Sequence, residues 1–251
     1  MMRSFSLILS ALFLFTIQQG LQEQLAKSDQ LFNSFNNKAA YNLLLDIQKK
    51  YPDNAEVLWR LSRVVYHIAD HMPTSTSAEK DEQLAQYQKA YAYADEAVKS
   101  DPKNSMAYTY RAVANGKIAL FKGVFSVSGI VNSVRQDCEK AISLDPNNAI
   151  AYYVLGRTHA KLAEKPKMFR WPLGLAWGNI DDAIKFYNKA VSIDPNFVMF
   201  RLDLAKAYIS QDMFQQARLQ LEAIPQLPKR DEDDDQMKAE AAKLLQEIKN
   251  K

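Results

Sequence analysis

The sequence predicts an all-α fold, a right-handed solenoid of about five helix pairs with long inserts between helices and a closing C-terminal helix. Three observations predict it: a shortage of glycine, proline-marked joints at regular spacing, and small residues at fixed distances from those joints. Glycine accounts for 7 of 251 residues, well under the usual share of about 7%. Loops needing positive φ are therefore scarce, which argues against a sandwich, a barrel or a Gly-rich nucleotide fold. With 47% hydrophobic and 24% charged residues, the composition is that of an ordinary globular chain.

The joints are Tyr51-Pro52-Asp53-Asn54, Asp101-Pro102-Lys103-Asn104, Asp145-Pro146-Asn147-Asn148 and Asp194-Pro195-Asn196. Proline stops the preceding helix, and the Asn or Asp after it can cap the next by accepting a backbone N–H. Twelve residues before each proline stand Ala40, Ala90, Val134 and Ala183, and five before stand Ile47, Ala97, Ala141 and Ala190. Ten residues after stand Ser62, Ala112, Gly156 and Ala205, all small, where two helices must approach closely; at nine after, Leu61, Leu155 and Leu204 are interrupted by Arg111.

These joints divide residues 21–251 into repeats at about 21–54, 55–104, 105–148, 149–197 and 198–228. A cap helix over 232–250 follows, with Met237, Ala241, Leu244, Leu245 and Ile248 on one face, the solvating end that repeat arrays require. The large-small arrangement, the alanine of the second helix (Ala217 in repeat five) and the closing proline resemble the tetratricopeptide repeat, a helix-turn-helix unit of about 34 residues. Because the prolines at 52, 102, 146 and 195 are 50, 44 and 49 residues apart, repeats two, three and four carry inserts, at about Met72–Ala78, Lys122–Ile130 and Pro166–Gly178. Lengthened helices would absorb part of each.

The inserts narrow the resemblance. Glu56-Val-Leu-Trp-Arg-Leu-Ser-Arg63, the insert near Gly123, Ala141-Ile-Ser-Leu-Asp-Pro146, Ala163-Glu-Lys-Pro166 and Asp194-Pro-Asn-Phe197 together look like the repeat domain of the regulator of microtubule dynamics family. That resemblance implies association with microtubules, or tethering of membranes by a domain that binds phospholipid.

Met1-Met2-Arg3 followed by the uncharged stretch Phe5–Ile17 and polar Gln18-Gln19-Gly20 reads as a secretory signal peptide over 1–20. The apolar stretch is short of the roughly 20 residues a spanning helix needs. The expectation is an exported protein, periplasmic or secreted, with an uncleaved N-terminal anchor as the alternative. An exported chain would not meet microtubules, which favours the lipid- or partner-binding side of the resemblance.

Little in the sequence speaks for catalysis. A net charge of +3 and a pI near 8.7 are too mild to imply nucleic acid. Cys138 is the single cysteine, which excludes an intrachain disulfide or a Cys-rich metal site, and its place in the repeat predicts burial as a small apolar residue. His67 and His71 share a helix face at i and i+4 but lack a third and fourth ligand, so ordinary solvent-facing histidines are expected and no metal is assigned. The run Asp231–Asp235 lacks the glycine and glutamate of a calcium loop and reads as the acidic start of the cap helix. No nucleophile-elbow, phosphate-loop or dinucleotide motif occurs. The chain is read as a non-enzymatic scaffold without cofactor.

By what the repeat resemblance implies, positions 2, 5, 9, 12 and 13 of each first helix line the concave face. They supply the candidate binding residues Trp59, Arg63, Tyr66, Lys117, Tyr153, Arg157, Lys161 and Lys206, against one acid, Glu56. A basic groove with aromatic walls suits a carboxylate or phosphate. The first expectation is a partner protein or acidic peptide; the alternative is an apolar anionic molecule such as a phospholipid held under the inserts at Phe125–Ile130 and Trp171–Trp177. The Met168–Trp177 segment is expected to fold back and close one end of the groove in preference to touching a membrane.

Overall fold

The computed structural model describes residues 19–251, and every regular element among them is helical. A first helix, α1 (19–33), is followed by α2 (Asn37–Lys50), α3 (Ala55–Asp70), α4 (Ser77–Ser100), α5 (Ser105–Lys122), α6 (Ser128–Leu144) and α7 (Ala149–Ala163). After α7 come the short α8 (Lys167–Arg170) with a 3-10 turn (Trp171–Leu173), then α9 (Ile180–Ile193), α10 (Val198–Ile209), α11 (Phe214–Ala223) and α12 (Asp234–Glu247). Helices pack mainly on their chain neighbours, α3 on α4, α5 on α6, α7 on α9 and α10 on α11, and the pairs stack as a solenoid.

The joints work as expected in three cases of four. Asn54, Asn104 and Asn148 each accept a backbone N–H at the start of the following helix. At the fourth the cap is Phe197, which has no side-chain acceptor. Two caps also stitch successive repeats: Asn104 donates to Glu56 Oε1 at 2.7 Å, and Asn148 donates to both Ser105 Oγ and Thr109 Oγ1 at 2.7 Å. The small residues counted from the prolines are buried throughout, Ala40, Ala90, Ala97, Ala112, Ala141, Ala183, Ala190 and Ala205 completely so. Arg111, where a leucine is expected, spans two helices, with Nε and Nη2 donating to Asp137 at 2.9 and 2.6 Å and Nη1 to Asp95 at 2.8 Å. Cys138 is buried beside Ala112, Val134 and Leu155, where desolvation raises its thiol pKa.

Repeat two absorbs its extra length in the 24 residues of α4, which opens with a capping box between Thr76 and Glu79. The other two inserts pack on one another as a knob at one end of the α5–α6 and α7–α9 pairs, with Val124 from the first and Leu175 from the second in one cluster with Ala119, Val131 and Leu162. Arg170, 5% exposed, organises the second insert from inside: its guanidinium donates to the carbonyls of Lys165, Leu175 and Gly178 at 2.8, 2.9 and 2.7 Å. Gly174 closes the 3-10 turn at φ 68°, a left-handed conformation that disfavours a side chain.

The cap helix is shorter than expected, beginning at Asp234 and ending at Glu247, yet Met237, Ala241, Leu244, Leu245 and Ile248 all face the core built on α10 and α11. The acidic run before it folds as a corner. Asp234 is buried, and its Oδ2 accepts the backbone N–H groups of Arg230 and Asp231 at 2.7 and 3.0 Å. This corner reaches across the concave face to the other end of the array: Asn37 donates to Glu232 at 3.0 Å, and His71 lies 3.2 Å from Glu232 and 3.4 Å from Asp233.

Candidate functional site

The consequence is a concave face that forms a cavity of about 970 Å³. Its walls come from α1, α3, α5, α6, α7, α9 and α10, and its far edge from the corner Lys229–Asp231. Seven of the eight expected residues line it: Arg63, Tyr66, Lys117, Tyr153, Arg157, Lys161 and Lys206. Trp59 does not. It is 5% exposed and stacked on Tyr110, with ring centroids 5.5 Å apart and Arg60 4.2 Å above the indole, so it serves packing between α3 and α5.

The cations at the positions read from the repeat face the cavity, together with acids that those positions do not include. Arg63 pairs with Asp29 of α1, and its guanidinium lies 4.0 Å from the centroid of the Phe32 ring. Burial alone would raise the Asp29 carboxyl, but hydrogen bonds and charge from Arg60 and Arg63 outweigh it and hold the pKa below its ordinary value. Lys117 pairs with Asp70; Lys161 lies 2.8 Å from Glu164; Lys206 lies 2.9 Å from Glu240 and 3.8 Å from Asp203. Each of these acids sits outside the positions read along the first helices: on α1, one turn further along α3, at the end of α7, beside Leu202 on α10, or on the cap helix. Arg157 is the exception. It is exposed to the cavity and forms no hydrogen bond or ion pair with any described residue.

Around Arg157 the lining is aromatic and aliphatic, with Tyr66, Tyr153 and Tyr187 joined by Val113, Ile150 and Phe200. Desolvation pushes the phenols of these three tyrosines well above their ordinary pKa, and the Tyr153 hydroxyl donates to Asp203 at 2.7 Å. Of these residues Tyr187 was out of reach of the sequence argument because it lies on the second helix of its repeat, where side chains are expected to pack inward. Gly116 keeps the space open: a Cβ placed there meets no atom within 4 Å.

The two histidines part company: His71 is exposed as expected, and His67 is not. His67 is held in the cavity wall between Phe32 and Tyr66, ring centroids 4.7 and 4.5 Å away, and burial lowers its pKa to about 3, leaving the ring neutral. His71 belongs to the contact with Glu232 and Asp233. No group of three or more metal-ligating side chains is arranged around an ion among the described residues.

The Met168–Trp177 segment divides in a way the sequence argument did not foresee. Trp177 folds back, donating to Asn132 at 2.9 Å and packing edge-on against His159 at 4.9 Å. Met168, Phe169 and Trp171 point outward at 74%, 63% and 74% exposure. The fold-back part packs behind the cavity wall through Leu175 and Leu162 and does not cap the groove.

Stacked helix pairs around one concave cavity define a tetratricopeptide-like scaffold. A thermophilic TPR protein of Thermus thermophilus superposes with a TM-score of 0.65 at 20% identity, over 90% of this chain and 99% of that one. Within that class, the chain belongs to the family described as Regulator of microtubule dynamics protein 1-3, whose model matches residues 24–249. Regulator of microtubule dynamics protein 1 of Mus musculus is 29% identical over 90% of this chain and 74% of its own length, and that of Bos taurus 28% identical over 92% and 73%. Regulator of microtubule dynamics protein 2 of Mus musculus is 27% identical, over 74% of this chain and 46% of its own length.

Membership corrects the expectation of export. The relatives are eukaryotic proteins named for regulating microtubules, a polymer that a periplasmic or secreted protein does not meet. An apolar stretch behind a basic start is a weak export signal without a good cleavage site. Nearly all of the segment expected to be a signal or anchor, residues 1–18, lies outside the described residues, and no helix among the described residues is long and apolar enough to cross a membrane.

Proposed function

We propose that the chain is a non-catalytic receptor whose concave cavity holds an apolar molecule ending in a single anionic group, with Arg157 meeting the anion and Tyr66, Tyr153 and Tyr187 covering the stem. The observation that carries this reading is the lone Arg157. A guanidinium exposed in the cavity, with no carboxylate within 4.0 Å and Asp203 acting on it only from further away, favours an incoming phosphate or carboxylate, because the partly dry surroundings weaken competition from water. An acidic peptide laid along a basic groove has less support, since Arg63, Lys117, Lys161 and Lys206 already have acidic partners.

Mass spectrometry of the organic extract of purified full-length protein tests it. Wild type is expected to carry an acidic amphiphile; Arg157→Gln should retain at least about tenfold less, the scale of one lost charge-assisted contact. Gly116→Phe should also empty the cavity by filling it, without a clash at the Cβ. A clean extract from folded wild type, or equal loading in Arg157→Gln, would overturn the reading.

The family name supports a second proposal, that a protein partner is engaged and that it is the microtubule. Co-sedimentation of the full chain with polymerised tubulin tests this. A chain left entirely in the supernatant removes it without touching the first proposal.

A further inference from the structure

Seven large apolar side chains are exposed among the described residues, and six of them, Leu120, Phe121, Met168, Phe169, Trp171 and Leu173, belong to α5's end and to the insert that packs with it. Scattered exposed apolar residues are normal; a concentration of this kind on one appended knob is not. The outward residues are also held in place. Arg170 is drawn inward by three backbone carbonyls, Trp177 is tied to Asn132, and Leu175 is completely buried. With the turn fixed from behind, Met168, Phe169 and Trp171 are presented at little further cost in conformational entropy.

The charges beside them are of one sign. Residues 165–180 contain Lys165, Lys167 and Arg170 and no carboxylate. Arg170 is consumed inside the turn, while Lys165, Lys167 and nearby Lys122 are exposed and pair with no acid among the described residues. A tryptophan and two other large apolar side chains flanked by unpaired lysines suit the boundary between headgroups and acyl chains, where indole rings concentrate and each lysine near an anionic surface contributes.

We infer that this knob docks on the surface of an anionic lipid bilayer, inserting Met168, Phe169 and Trp171 while Lys165 and Lys167 meet the headgroups. None of the three inserted side chains lines the cavity, so failure of docking would leave the cavity reading standing.

The test uses full-length protein and vesicles of phosphatidylcholine alone or mixed with phosphatidylserine, some carrying bromine on the acyl chains. Wild type should float with the anionic vesicles, and bromolipid should quench the fluorescence of Trp171, the exposed one of three tryptophans. Insertion by the N-terminal segment alone cannot produce that quenching. Met168→Ser/Phe169→Ser/Trp171→Ser should lose the quenching and most of the flotation, and Lys165→Ala and Lys167→Ala should each weaken partition about fivefold. Absence of quenching overturns the inference, whether or not the protein floats. So does flotation equal in wild type and the triple variant, or a wild-type self-association that the triple variant abolishes with no change in vesicle binding.

Discussion

His71, at the end of α3, lies 3.2 Å from the Glu232 carboxylate of the corner before α12, closing a contact between residues 161 positions apart. Its Nδ1 also lies 2.8 Å from the His67 carbonyl, and Nε2 lies 3.4 Å from Asp233. Both ring nitrogens thus face acceptors, and only the doubly protonated imidazolium can donate to each.

The contact should therefore weaken with rising pH. Burial disfavours the His71 charge, but the His67 carbonyl, Glu232 and Asp233 outweigh it and raise the pKa above 6.5. A raised pKa means the stabilisation is fully present below the unfolded value of about 6.5 and is lost as pH climbs through the folded one. Hydrogen exchange of residues 229–234 should accelerate between about pH 6 and pH 8 beyond the intrinsic rate. His71→Ala should show the fast behaviour at both ends of that range; a wild-type corner equally protected throughout would refute the role given to the histidine.

The Arg111 pair makes a prediction about stability. Asp137 is 6% exposed, and burial raises its pKa despite the arginine. Arg111→Ala leaves that carboxylate without its partner and should cost about 3 kcal/mol in urea unfolding. Replacing both, Arg111→Leu with Asp137→Leu, restores the leucine that the other repeats carry and should recover most of the loss. A double variant as unstable as the single one would show that the network is held by something other than the unpaired charge.

Gly178 gives the third. A Cβ there would stand 2.4 Å from Leu162 Cβ and 2.7 Å from its Cδ1, so the second insert must move away from α7. Gly178→Ala should cost about 1–3 kcal/mol and make the 165–178 turn more susceptible to limited proteolysis. The pair Gly178→Ala with Leu162→Gly, which removes the Cβ that alanine at 162 would keep, should relieve the steric part. Unchanged cleavage and stability in Gly178→Ala would mean that the insert is not seated as described.

The fold was legible because the repeat writes its packing into residue size: a fixed distance from each proline identified Ala112, Gly156 and Ala205 before any coordinates. Gly156 shows why size matters, since an added Cβ would stand 3.0 Å from the Tyr187 ring and 3.2 Å from the Ala183 carbonyl. The same counting picked out Arg63, Lys117, Arg157, Lys161 and Lys206, which line the cavity because first-helix positions point inward by geometry. It misplaced Trp59, whose side chain finds the better surface on Tyr110. It missed Asp29, Asp70 and Glu240 because ion pairing depends on which helices become neighbours in space, and no spacing within one repeat encodes that. The closing corner was hidden for the same reason: Asp231–Asp235 reads locally as a helix start, and only the curvature of the whole array brings Glu232 to His71.

A stack of repeats touching only their neighbours folds much as a zipper does, each unit gaining from the one beside it, with loose ends that fray independently. The bond from Asn37 to Glu232 ties those ends together. Among the described residues it is the longest-range connection in an otherwise local molecule, so its formation must wait for the intervening helices and carries a single large loop-closure entropy. Fraying at either terminus then becomes coupled: loosening α2 should release the corner before α12, and with it the Lys229–Asp231 edge of the cavity.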